Sequence, residues 1–150
     1  MLYGEKLEPQ GFSFFTAVKI SPTNMGGGKV IYRFMRVYYC CDIPPSIICN
    51  GVYFCHEGFG CLFNSKTIIG TGTKVQHGVT IGEAHGKVPI IGKNCYIGAR
   101  SIIIGGIHIG DNVTIGAGSV VVKSVPDNCV IAGNPARIIR VIDEGEKQND

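Results

Sequence analysis

Four histidines, His56, His77, His85 and His108, are the side chains best suited to moving a proton near neutral pH. His56 opens the run His56-Glu-Gly-Phe-Gly60, whose glycines would keep the backbone open for a substrate. His77 lies in Gln76-His-Gly-Val-Thr-Ile-Gly82, and His85 follows shortly after it. His108 reads as a plain surface residue. Seven cysteines make an odd number with no C-x-x-C pair, so neither a disulfide framework nor a zinc site is indicated. Gly70-Thr-Gly-Thr-Lys74 has the wrong glycine spacing for a phosphate-binding loop.

What positions these side chains is a six-residue period. Branched aliphatics recur at Ile91, Ile97, Ile103, Ile109, Ile115 and Val121, with glycine following at 92, 98, 110 and 116. Four residues after each aliphatic stands a small or branched residue, as at Cys95, Ser101, Val113 and Ser119. Helices repeat near 3.6 residues and strands at 2, so this period describes a short strand plus a corner. Glycine suits a corner because it accepts φ > 0. Three units close a triangular turn of about eighteen residues, which predicts an all-β fold, a left-handed parallel β-helix of about five turns. The period reaches back through Ile81 and Val75 to Ile69, and the longer gap between Ile81 and Ile91 predicts a loop over Gly82 to Pro89. His77 then faces outward beside that loop and His85 lies in it. The four histidines lack the adjacent-strand pairing that a zinc site on such a coil requires, so no metal is expected.

Counting in sixes also places Cys49, Cys55 and Cys61 at the small inward position, with Cys95. A buried thiol behaves there as a small hydrophobe. The aliphatic column below Phe63 reads Glu57 and then Gly51, so the first turn is irregular.

The coil is expected over 42–133, entered through Pro44-Pro45. An N-terminal segment, 1–41, precedes it, with no function assigned to 1–28. Lys29 to Cys41 has the apolar spacing of a short amphipathic helix that covers the open first turn. Membrane-surface contact by that helix is the alternative weighed against this. Residues 134–150 form a C-terminal segment, with Ala136 to Ile142 lying back on the coil, and an acidic tail. The 150 residues carry a net charge of +3 with scattered lysine and arginine, so no nucleic-acid partner is expected. With no signal peptide or apolar run of membrane length, a cytoplasmic, reduced location is expected.

The repeats ending in Ile115-Gly-Ala-Gly-Ser119 through Ile142, with Asp42-Ile-Pro-Pro45, His56-Glu-Gly-Phe-Gly60 and Gln76 to Gly82, resemble the hexapeptide-repeat acyltransferases. The likeness covers about 42 to 142 and is to the serine acetyltransferase branch and the related surface-polysaccharide O-acetyltransferases. It implies acetyl-CoA as acyl donor and a homotrimer with active sites between subunits. It implies His56 as catalytic base, with Asp42 as the carboxylate that orients it. Ala99 and Ala117 take the places that meet the pantetheine arm, and Lys123, Arg137 and Arg140 the basic places that meet the phosphates. His77 and His85 are candidates for acceptor binding. The serine branch carries histidine before the proline that ends the loop, whereas Val88 precedes Pro89 here, and only about 40 residues precede the coil. The expected acceptor is therefore a hydroxyl of a sugar or surface-polysaccharide precursor, with serine as the alternative. A non-catalytic trimeric scaffold is the alternative of another class.

Overall fold

The structure, a computed structural model, describes residues 36–44 and 51–142. In each six-residue unit the strand is so short that one side chain points out and the next points in. Tyr96–Ile97 and Thr114–Ile115 show the rule: the isoleucines are fully buried. Because all the units share this pattern, their strands stack into three faces of a parallel coil.

The first face holds β1 (Tyr53–Phe54), β4 (Lys74–Val75), β7 (Tyr96–Ile97), β10 (Thr114–Ile115) and β12 (Cys129–Gly133). The second holds β2 (Leu62–Phe63), β5 (Thr80–Gly82), β8 (Ile102–Ile104) and β11 (Val120–Val121). The third holds β3 (Ile68–Ile69), β6 (Ile90–Ile91) and β9 (His108–Ile109), with Val125 bridged to Ile109 above them. The coil makes about four turns, and β12 begins another. Its core is the expected column: Ile81, Ile91, Ile97, Ile103, Ile109, Ile115 and Ile131 are each at most 1% exposed.

Register exposes where turns depart from eighteen residues. Tyr96 lies opposite Thr114, a regular turn, but Lys74 lies opposite Tyr96 because of the predicted loop. Ala84 and Lys87 close that loop through two backbone hydrogen bonds of 3.0 and 3.1 Å. The irregular first turn has a different cause from a slip in the column. Phe54, not Glu57, continues the line from Val75, and the extra residues bulge out as Cys55–Gly58. Cys55 is consequently only partly buried, against the expectation of a core position, whereas Cys61 and Cys95 are buried as expected. Cys49 lies outside the described residues.

The glycines after the aliphatics also serve another purpose than a left-handed backbone. Gly92, Gly98, Gly110 and Gly116 do not have positive φ, and an added Cβ would strike the next rung, at 2.6 Å from Ala117 N in the case of Gly98. Positive φ falls one or two residues before the strand at two of the three corners. One corner stacks Gly51, Gly72, Asn94, Asn112 and Asn128. The other stacks Cys40, Gly60, Gly78, Arg100 and Gly118.

At each end of the coil further chain extends one face. Below β2, Asp42 pairs with Leu62, with Cys41 and Ile43 buried beneath Cys61 and Phe63. A helical turn at 36–38 leads into this rung, and the rest of the expected helix lies outside the described residues. At the top, β13 (Ala136–Val141) folds back antiparallel on β12.

Candidate functional site

One edge of the coil, between the first and second faces, collects most of the predicted residues. The bulge Cys55–Gly58 projects at its lower end. His56, Glu57 and Gly58 are consecutive left-handed residues, with φ of 53°, 53° and 66°, a conformation that costs side-chain-bearing residues energy and recurs at functional sites. It holds the His56 side chain exposed. One rung up, the His77 ring meets that of His56 edge to face, with centroids 5.4 Å apart and planes at 76°, so two histidines do pair on adjacent rungs, against the expectation from spacing, because the bulge carries His56 beneath His77. Nδ1 of His77 is buried and has no hydrogen-bond partner among the described residues. Beside the pair, Gln76 Nε2 donates to Cys55 Sγ at 3.3 Å.

Above His77 the same edge carries Ala99 and then Ala117. These are on adjacent rungs, since Gly118 N donates to the Ala99 carbonyl at 2.8 Å. The N–H groups of Ala99 and Ala117 have no acceptor among the described residues. An amide-bearing arm laid along the edge would find two donors without an acceptor among the described residues. That fits the pantetheine portion of coenzyme A. Arg137 stands at the upper end, opposite Ala132 in the β12–β13 pair, and Nη1 donates to the Ala136 carbonyl at 3.0 Å. Arg140, opposite Val130, lies farther in on the first face.

Three predicted residues stand elsewhere. The Asp42 carboxylate, on the second face, lies 3.3 Å from Arg36 Nη2. Exposed His85, in the loop, and exposed Lys123 lie on the edge between the second and third faces. There the loop rests over Gly105 and Gly106: a Cβ at Gly106 would sit 2.6 Å from Lys87 Cβ. Within one chain, then, His85 and Lys123 are separated from His56 by the width of a face. Among the described residues no group of three His, Cys, Asp or Glu side chains is placed to hold a metal ion.

Arg100 is a residue of the His56 edge that the sequence reading passed over. The signal was available, because Ile97-Gly-Ala-Arg100 breaks the pattern of Ile115-Gly-Ala-Gly118 on the next rung.

Residues 89–123 match the family model described as the hexapeptide repeat of succinyl-transferase. Serine acetyltransferase 2 of Arabidopsis thaliana is 40% identical over 69% of this chain and 33% of its own length. WcaB of Escherichia coli (strain K12), whose name assigns it to colanic acid biosynthesis as an acetyltransferase, is 36% identical over 73% of this chain and 70% of its own. The serine acetyltransferase of Brucella abortus strain S19, solved in complex with coenzyme A, superposes with a TM-score of 0.67 at 29% identity, covering 77% of this chain and 48% of that one. The chain thus spans about a third to a half of the serine acetyltransferases it matches, and more than two thirds of WcaB. With the repeat, the coil and the open edge accounted for together, the chain belongs to the hexapeptide-repeat acyltransferases, on the branch that holds the serine acetyltransferases and WcaB.

Proposed function

We propose that this protein is an O-acetyltransferase that moves an acetyl group from acetyl-CoA to a hydroxyl of a sugar or surface-polysaccharide precursor. One observation carries the reading: the exposed His56 imidazole stands at the foot of the same edge on which Ala99 and Ala117 offer open N–H groups. A donor lying along that edge with its phosphates toward Arg137 brings its thioester to His56. The imidazole then takes the acceptor proton as the hydroxyl oxygen attacks the thioester carbon. The tetrahedral intermediate collapses, the C–S bond breaks, and the imidazolium returns the proton to the departing thiolate. Arg140 and Lys123 would meet donor phosphates, and Asp42, which lies against Arg36 on the second face, would have to turn from that partner to steady the imidazolium.

Because His85 and Lys123 stand on another edge, a complete site needs two chains. We take the assembly to be a homotrimer with sites between subunits, working in the cytoplasm. Exposed Ile68, Ile90, Leu62 and Val122 flank the loop-bearing edge and would be covered in such an assembly. Serine is the second reading, favoured by the likeness to serine acetyltransferases.

The His56→Asn variant tests the mechanism, since asparagine tolerates the left-handed backbone. Turnover should fall roughly 10²- to 10⁴-fold while calorimetry finds coenzyme A affinity unchanged. Undiminished turnover removes His56 from the role, and absence of saturable coenzyme A binding by the parent protein leaves only a scaffold. Rates with sugar hydroxyls against free serine decide the acceptor.

A further inference from the structure

Arg100 departs from the rule of its own corner. At the same stacked position Gly60, Gly78 and Gly118 have φ of 69°, 70° and 68°, yet Arg100 carries a side chain at φ 59°, as among the described residues of this corner only Cys40 of the entry rung, at φ 49°, also does. On the other corner the non-glycine residues in this region are all asparagines, Asn94, Asn112 and Asn128. Asparagine can offset the left-handed conformation by local hydrogen bonding, and arginine cannot.

The fold does not use the charge. Arg100 is exposed, and among the described residues its guanidinium has no ion pair or hydrogen bond. The stem is nevertheless directed. A Cβ on Gly78 would lie 3.1 Å from Arg100 Cγ, so the side chain crosses Gly78 down the edge toward His77. Rungs lie about 4.8 Å apart, which puts the Arg100 backbone roughly 10 Å above the His56 rung, a span that an arginine side chain largely bridges. The stem thereby starts down the edge toward the histidine end, away from the Arg137 end proposed for the donor phosphates.

We infer that Arg100 is an anion-binding residue of the acceptor subsite, gripping a carboxylate on the molecule whose hydroxyl is acetylated. This deepens the acyl-transfer reading and rests on it. Guanidinium matches a carboxylate through two parallel N–H···O bonds. The acceptor class is therefore an acidic hydroxy compound, either a sugar acid or a hydroxy amino acid.

Calorimetry of the full chain with two matched pairs, D-glucuronate against D-glucose and L-serine against L-serinamide, tests the inference and separates the two sources. The parent protein should prefer the carboxylate member of one pair by at least about tenfold, the scale of a charge-assisted hydrogen bond. Arg100→Gly should abolish that preference, leave coenzyme A affinity unchanged and raise the thermal midpoint, because glycine suits the corner. Arg100→Lys should keep part of the preference. A preference absent from the parent, or surviving Arg100→Gly, overturns the inference alone, as does loss of coenzyme A affinity in its place. A parent protein that binds no coenzyme A overturns the acyl-transfer reading, and this inference with it.

Discussion

Cys61 and Cys95 show how a residue type answers to its place in the coil. Each is buried on an inward position and each thiol donates to a backbone carbonyl, of Gln76 at 3.3 Å and of Gly110 at 3.2 Å. Burial disfavours the thiolate and pushes both pKa values up to about 11. The fold therefore binds these protons more tightly than the unfolded chain does. The resulting stability is present below the ordinary thiol pKa of 9.0 and is lost as pH rises toward about 11. Two outcomes follow. At neutral pH a thiol reagent should label Cys40 and partly exposed Cys55 while Cys61 and Cys95, followed by peptide mass mapping, react only on unfolding. Between those pH values the denaturant midpoint should fall less in Cys61→Ala than in the parent; an equal fall refutes the assignment. Cys61 and Cys95 were legible from the period alone. Cys55 was not, because counting in sixes assumes that no residue is inserted, and the bulge inserts its residues just there.

At the scale of the strand and corner, the sequence announces the aliphatic column and the loop, since both are written as spacing. The reason for the glycines is not legible, because one letter serves two physical purposes. Gly98 leaves room for the next rung, whereas Gly118 supplies a positive φ with nothing within 4 Å of an added Cβ. The two should respond differently to the same methyl group. Gly98→Ala forces backbone against backbone and should cost about 1–3 kcal/mol. Gly118→Ala meets only the left-handed penalty, of order 1 kcal/mol. Denaturant unfolding should place Gly98→Ala below Gly118→Ala in stability; the reverse order would mean that rungs separate easily and that spacing between turns is not what these glycines protect. The bulge escaped the sequence reading for a related reason. Phe54 interrupts the aliphatic column with an aromatic, so no hexad marks where Cys55–Gly58 departs.

For the whole molecule, the separation of two edges has a consequence that activity measurements can read. His56 and the open N–H groups of Ala99 and Ala117 belong to one edge, and the loop with His85, together with Lys123, to another. No pattern in the sequence says which edges meet, because the period fixes contacts along the coil and is silent about contacts between coils. In the proposed trimer each site takes the first edge from one subunit and the second from its neighbour. A His56→Asn chain and a chain lacking the loop residues 83–87 should each be inactive alone. Co-refolded in equal amounts, they should recover about a quarter of the parent activity, the fraction of sites in a randomly mixed trimer that draw both intact edges from different chains. If each chain held a complete site, every site in the mixture would carry one lesion and no activity would return. Recovery is therefore the signature of shared sites, and light scattering on the same mixture should show three chains per particle.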